Sequence, residues 1–95
     1  MVTIGMNYFV REGKESVFEA ACSKVVDVMQ GIEGHDESFL YKRISDGSPV
    51  YLIVSRWANE EAFNDFVRSE QFKKVTSWGK ENILTGPPRH TTYRE

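Results

Sequence analysis

The chain has 95 residues, of which 40% are hydrophobic and 27% charged, and its formal net charge is −2. This length predicts one globular domain over residues 1–95, and the scattered positive residues exclude the basic tract that a nucleic-acid-binding domain uses. A single cysteine, Cys22, excludes an internal disulfide and a cysteine zinc site.

The sequence shows no targeting or membrane segment. Residues Met1 to Gly5 lack a basic leader that runs into a long apolar segment, so no signal peptide is expected. No apolar run approaches the roughly 20 residues that a membrane-spanning helix requires. We therefore expect a cytoplasmic protein with no membrane partner.

The first predicted element is a strand from Val2 to Val10. Alternate residues of a strand face opposite sides of a sheet. One side of this strand is apolar throughout, whereas the other carries Gly5 and Asn7 among mixed residues. A sheet with apolar character on both faces requires cover on both. A small chain has helices for one face only, which predicts a homodimer whose second subunit covers the other.

A long helix and a second strand follow. The segment from Lys14 to Gln30 has an apolar stripe at helical spacing, and Cys22 lies within it, which indicates packing rather than a reactive thiol. Residues 32–37 read as a polar loop and Ser38 to Ile44 as the second strand. Ser45 to Pro49 has the composition of a turn.

The most informative stretch is the strand from Val50 to Trp57, which passes at once into a helix from Glu60 to Arg68. Asn59 can cap this helix, because its side-chain oxygen can accept from free N–H groups of the first turn. Trp57 stands where a strand ends and a helix begins, a common place for a pocket. The alternative is that Trp57 fills the core at the end of the strand.

The remaining elements complete the pattern. Ser69 can cap a short third helix that begins at Glu70, and Arg89 to Arg94 reads as a final strand. The order β-α-β-β-α-β is that of an α+β, ferredoxin-like subunit.

The sequence contains no recognisable hydrolase or metal site. His35 and His90 have no partner at metal-ligand spacing, and no glycine-rich phosphate loop is present. What remains is a set of aromatic and polar residues, with Asn7 on the first strand and Trp57 at a strand end. The weaker members, on or near the third helix, are Phe72, Thr76 and Trp78.

A cavity lined by these residues would be apolar, with a few hydrogen-bonding points. It would suit a flat, aromatic, oxygen-bearing small molecule. The alternative for Asn7 is a buried amide whose hydrogen bonds are satisfied within the core.

Taken in order and with their spacing, the residues resemble the antibiotic biosynthesis monooxygenase family of the dimeric α+β barrel superfamily. The resemblance covers nearly the whole chain. It rests on Asn7, Val54-Ser55-Arg56-Trp57, Asn59-Glu60-Glu61-Ala62-Phe63, Ser69-Glu70-Gln71-Phe72-Lys73 and Leu84-Thr85-Gly86-Pro87-Pro88-Arg89.

The resemblance implies a homodimer whose sheets face each other, with a pocket in each subunit between sheet and helices. Some members oxidise polycyclic phenols with molecular oxygen and without metal or flavin. In those members an asparagine and a tryptophan hold the substrate's oxygens. The matching residues here are Asn7 and Trp57, which are the expected catalytic pair, and Phe72, Thr76 and Trp78 are the expected substrate contacts.

Other members degrade haem and use a histidine on the short helix as the iron ligand. Thr76 occupies that position in this chain, and a threonine hydroxyl is a poor iron ligand. We therefore expect no cofactor and a cofactor-independent monooxygenase of a small aromatic or polycyclic phenolic substrate. The alternatives are a haem-binding or haem-degrading protein, with His90 or His35 as another ligand, and a non-catalytic dimer that binds a small ligand.

Overall fold

A computed structural model of the chain describes residues 1–44 and 47–94. It contains one antiparallel sheet of four strands, in the order β2-β3-β1-β4, with helices packed against one face. The elements in chain order are β1 (Val2–Phe9), α1 (Glu15–Met29), β2 (His35–Lys42), β3 (Val50–Trp57), α2 (Glu60–Val67), α3 (Glu70–Asn82) and β4 (Arg89–Arg94). This topology confirms the ferredoxin-like arrangement.

Most predicted boundaries agree with the structure to within one or two residues, and two do not. Strand β2 begins at His35 instead of Ser38, because pairing with β3 extends through the polar residues across an irregularity between His35 and Glu37. Helix α3 is 13 residues long and is not a short helix. Of the predicted turn, Ser45 and Asp46 lie outside the described residues.

The two predicted helix caps are confirmed. The backbone N–H of Ala62 donates to the Asn59 side chain at 2.9 Å, and that of Phe72 donates to Ser69 Oγ at 3.2 Å. Each contact satisfies a donor that has no partner within its own helix.

The buried core divides into two groups at opposite ends of the sheet. The tryptophan core consists of Val2, Ile4, Met6, Met29, Trp57, Phe63 and Phe66. The cysteine core consists of Val10, Phe18, Cys22, Tyr51, Ile53, Ile83 and Leu84. Tyr8, half-buried on β1, packs against both groups.

The other side of the sheet, which we call the open sheet face, has no helix against it among residues 1–44 and 47–94. Side chains here include three aromatic rings that are about half exposed, namely Phe39 at 45%, Tyr41 at 54% and Tyr93 at 58%. Val50, Leu52 and Val54 of β3 alternate with buried residues and lie on the same face. Within the described residues, no helix is both long and apolar enough to cross a bilayer.

Candidate functional site

A cavity of about 50 Å³ lies between the sheet and helices α1 and α3. Its walls include all three of the weaker site residues predicted from the sequence, Phe72, Thr76 and Trp78, so the structure brings these together. The rest of the lining is mainly apolar, and it includes Tyr8, Phe18, Ala21, Cys22, Val25, Ile53, Val75, Gly79, Ile83 and Leu84.

The sequence of α3 explains why space is left at this position. Phe72, Val75, Thr76 and Gly79 follow one another at helical spacing, so they share one face of the helix. Gly79 is buried but has no side chain, and a Cβ added there would come no closer than 3.8 Å to Leu84. A glycine inside a helix is unfavourable by roughly 1 kcal/mol relative to alanine, and here it leaves the floor of the cavity unfilled.

Besides the indole N–H of Trp78, three residues of the lining carry a polar side-chain group, although almost all of the surface that faces the cavity is apolar. Burial, with a smaller contribution from Cys22, raises the pKa of the Tyr8 phenol above its usual value. Burial, and then Glu19, raises the pKa of the Cys22 thiol to about 12. The Thr76 hydroxyl donates to the backbone carbonyl of Phe72 at 2.8 Å. All three groups are therefore protonated at neutral pH, and none of them is a base.

Of these groups, the Tyr8 hydroxyl is the one best placed to turn toward a ligand. Its hydrogen bond goes to Met6 Sδ at 3.6 Å, and a thioether is a weak acceptor that a better acceptor can displace. The sequence interpretation did not select Tyr8 as a site residue. The signal was present in the alternation of β1, which places Tyr8 on the helix-covered side with Met6 and Val10.

Asn7 lies one residue away from Tyr8 and on the opposite side of the sheet. It is half-buried on β1, opposite Leu52 of β3 and Arg89 of β4. It does not line the cavity, so it would meet a substrate only in a site on the open sheet face. Its role in orienting the substrate's oxygen stays a prediction.

Trp57 lies in the tryptophan core and not in the wall of the cavity. The residue is 0% exposed, and its indole N–H donates to Ser55 Oγ at 2.9 Å. The rings of His35, Phe63 and Phe66 stand 5.0, 5.7 and 5.6 Å from the indole, between centroids. Its predicted part in substrate binding also stays a prediction.

The sequence profile of a known family, antibiotic biosynthesis monooxygenase, matches residues 1–78 of this chain. The chain belongs to this family. The antibiotic biosynthesis monooxygenase fold also accounts for the position of the cavity between the sheet and the helices, as the resemblance implied.

Curated relatives include proteins whose names describe them as candidate heme-binding proteins. One from Natronomonas pharaonis is 31% identical over 88 residues, which cover 93% of this chain and 14% of the relative. Another, from Haloquadratum walsbyi, is 28% identical over 93% of this chain and 16% of the relative. The chain thus spans about a sixth of the length of these relatives.

Solved structures of similar shape confirm the fold. A conserved protein from Methanosarcina mazei superposes with a TM-score of 0.87 and 18% identity, over 99% of this chain and 91% of that one. A cofactor-independent oxygenase from Streptomyces nogalater superposes with a TM-score of 0.81, also at 18% identity, over 99% and 91% of the two chains. At these identities the likeness establishes the fold.

The described residues do not fit a haem in the family manner. Thr76, at the position of the expected histidine, uses its hydroxyl proton within its own helix. His35 and His90 do not line the cavity, and the raised pKa of Cys22 and of Tyr8 opposes the anionic forms that bind iron.

Proposed function

We propose that this chain is the subunit of a homodimeric monooxygenase that oxidises a small aromatic, phenolic substrate with molecular oxygen and without a cofactor. The observation that carries the proposal is the apolar cavity that Tyr8 helps to line. Family membership supports it, because the family's description names monooxygenases.

Oxidation of a phenolic substrate by molecular oxygen requires few groups of the protein itself. The substrate gives its phenolic proton to bulk water before it binds, and the resulting electron-rich phenolate can pass an electron to oxygen by itself. The site therefore has to hold the anion and exclude water. A cavity walled by Phe18, Phe72 and Ile53 excludes water and packs against a flat ring. In such a dry site a single hydrogen bond to the substrate's oxygen is stronger than in water.

Tyr8 is the residue to which we assign that hydrogen bond. Its raised pKa keeps the proton on the phenol when a substrate anion lies beside it, so Tyr8 donates and does not compete for the charge. Thr76 and the ring of Trp78 contact the substrate as parts of the wall. The predicted catalytic roles of Asn7 and Trp57 remain hypotheses, which mutation of each residue can test.

The homodimer is proposed on the open sheet face. Phe39, Tyr41 and Tyr93 are large aromatic residues exposed on one surface, together with the half-buried side chains of β3. An apolar surface of this kind on a soluble domain marks an interface. Sedimentation at micromolar concentration should give a dimer, and a folded monomer would contradict this part of the proposal.

The test is oxygen uptake with a panel of hydroxylated naphthalenes and anthracenes. Replacing Tyr8→Phe should lower turnover by about a hundredfold, because it removes the donor aimed at developing charge. The matched control is Tyr93→Phe, which removes the same hydroxyl from the open sheet face. Asn7→Ala, measured on the same panel, tests whether Asn7 orients the substrate's oxygen from the open sheet face.

Two results would overturn the assignment. Loss of uptake in Asn7→Ala with none in Tyr8→Phe would move the site to the open sheet face. Binding of the phenols without uptake of oxygen would favour the second candidate, a non-catalytic ligand-binding dimer. The observation behind that candidate is that the three polar groups of the cavity wall are all neutral, so none of them can deprotonate a phenol.

A further inference from the structure

A larger groove lies beside the cavity on the outside of the helical layer, between α1 and α3. This groove, which we call the helix groove, has a volume of about 630 Å³. Ala21, Val75 and Trp78 line both the helix groove and the enclosed cavity, so the two spaces share a wall. The remaining lining of the helix groove consists of Ser16, Val17, Ala20, Lys24 and Lys74.

Apolar side chains that would normally be covered are exposed along the helix groove. Val17 is 41% exposed, Val75 40% and Trp78 43%. They lie side by side on two helices rather than singly over the surface. Adjoining apolar residues of this kind indicate a place where an apolar body binds.

The charges of the helix groove all have one sign. Lys24 stands on the α1 wall and Lys74 on the α3 wall, and the lining contains no acidic residue. Across residues 1–44 and 47–94, no ion pair involving either lysine is recorded. The chain as a whole carries a net charge of −2. The helix groove is therefore positively charged on a chain whose net charge is negative. A ligand with a negative group would meet complementary charge from both sides.

The small volume of the cavity also favours a ligand that occupies the helix groove. The enclosed cavity, at about 50 Å³, has room for a few waters or the edge of one ring. A polycyclic ligand would therefore leave most of its rings outside the cavity, and the helix groove with its two lysines borders the cavity at Trp78. Trp78 offers a flat indole face against which an aromatic ring can stack.

We propose that the ligand of this protein is an aromatic carboxylate or a comparable aromatic anion, with its rings between the cavity and Trp78 and its acidic group between Lys24 and Lys74. The proposal rests on the proposed function for its choice of cavity, and it adds the charge of the ligand and the residues that select it. The helix groove lies on the opposite side of the sheet from the proposed dimer interface, so dimerisation leaves it accessible.

The experiment uses two fluorescent probes with the same aromatic body. One, 8-anilinonaphthalene-1-sulfonate, carries a negative charge, whereas N-phenyl-1-naphthylamine carries none. The dissociation constant of each probe is measured for the original protein and for a double variant that carries both Lys24→Gln and Lys74→Gln. The matched control combines Lys73→Gln and Lys80→Gln, which remove the same charge from exposed positions on α3 outside the helix groove.

Charge-assisted contacts of exposed groups are worth roughly 0.2–1 kcal/mol each as ion pairs and more with a hydrogen bond. The Lys24 and Lys74 pair should therefore weaken binding of the sulfonate probe by roughly five- to twentyfold and change the neutral probe less than about twofold. The control pair should change neither probe by more than about twofold. Salt should weaken only the charged probe, because it screens exposed charges.

Equal effects of the two lysine pairs, or equal binding of the two probes to the original protein, would overturn the proposal. Displacement of the sulfonate probe by 2-naphthoate but not by octanoate supports an aromatic anion, and the reverse order would replace it by a fatty acid. Oxygen uptake separates this test from that of the proposed function. Oxygen uptake with neutral phenols, together with equal binding of the charged and neutral probes, would contradict only the proposed anionic ligand. Preference for the charged probe without any oxygen uptake would contradict only the proposed monooxygenase activity.

Discussion

The two halves of the core differ in how completely they are filled. In the tryptophan core, the indole of Trp57 is 0% exposed and is surrounded by the rings of His35, Phe63 and Phe66. In the cysteine core, Phe18 and Cys22 border a cavity, and the facing helix has a glycine, Gly79, where a side chain would fit. We call the filled surroundings of the Trp57 indole the solid end and the region around the cavity at Phe18 and Cys22 the hollow end.

The difference is clearest at the two tryptophans. Trp57 and Trp78 are the two tryptophans of the chain, and they have opposite surroundings. Trp57 satisfies its N–H within the protein, at Ser55 Oγ. Trp78 is 43% exposed and lines the cavity and the helix groove. Packing at the solid end holds the shape that the hollow end requires.

The largest expected effect tests the solid end. Trp57→Ala should lower the free energy of unfolding by about 3–5 kcal/mol, because it removes a fully buried ring from a packed site. This is a large share of the roughly 5–15 kcal/mol that stabilises a small domain. Trp78→Ala, the matched change at the hollow end, should cost less than about 2 kcal/mol. Chemical denaturation of both variants checks this, and equal costs would remove the distinction between the two ends.

A smaller and opposite effect is expected at the hollow end. Gly79→Ala should raise the free energy of unfolding by about 1 kcal/mol, because alanine is the better helix residue and its Cβ fits the space. The thermal midpoint should rise by roughly 4–8 °C, with weaker binding of aromatic ligands. Gly86→Ala is the control, since its Cβ would meet nothing within 4 Å. A loss of stability in Gly79→Ala would mean that this end is as tightly packed as the other.

The smallest effect concerns pH at the solid end. Burial lowers the pKa of His35, whose ring stands against Trp57 and whose Nε2 contacts Ser38 Oγ at 2.7 Å. The folded state therefore binds this proton less readily than the unfolded state. Stability is fully present above the unfolded pKa of about 6.5 and is lost as the pH falls through the folded pKa.

The prediction for His35 is checked by unfolding curves between pH 7 and pH 5. His35→Gln should lose less stability over this interval than the original protein does. His90→Gln, which changes the other histidine of the chain at an exposed position on β4, is the matched control. Parallel curves for all three proteins would show that the ring of His35 is not held neutral by the fold.

Much of the fold could be predicted from the sequence, because it depends on local signals. The caps at Asn59 and Ser69 and the alternation along β3 fix where elements begin and which side they bury. The start of β2 could not be predicted in this way. His35 and its polar neighbours are poor strand formers, and they become a strand because β3 offers backbone partners.

The site was only partly predictable, for a related reason. Phe72 and Thr76 share a helix face by spacing alone, so their meeting at the cavity follows from the sequence. Asn7 and Tyr8 lie on opposite faces of β1, and only one of these faces is covered by helices. The alternation of the sequence shows that the strand has two different faces, but it does not show which of them borders a ligand site. Whether Trp57 lines a cavity depends on how Phe63 and Phe66 pack around it, which is a tertiary property.

The pairing of β1 with β4 has a consequence for how the chain is made. These strands join residues from the two ends of the described chain, such as Thr3 with Tyr93 and Met6 with His90. During synthesis β4 leaves the ribosome after the other strands of the sheet, so until then β1 has one edge unpaired. Contacts so distant in sequence form slowly, and an unpaired edge is a template for other chains. Slow translation of β4, or its loss, should therefore send nascent protein into aggregates.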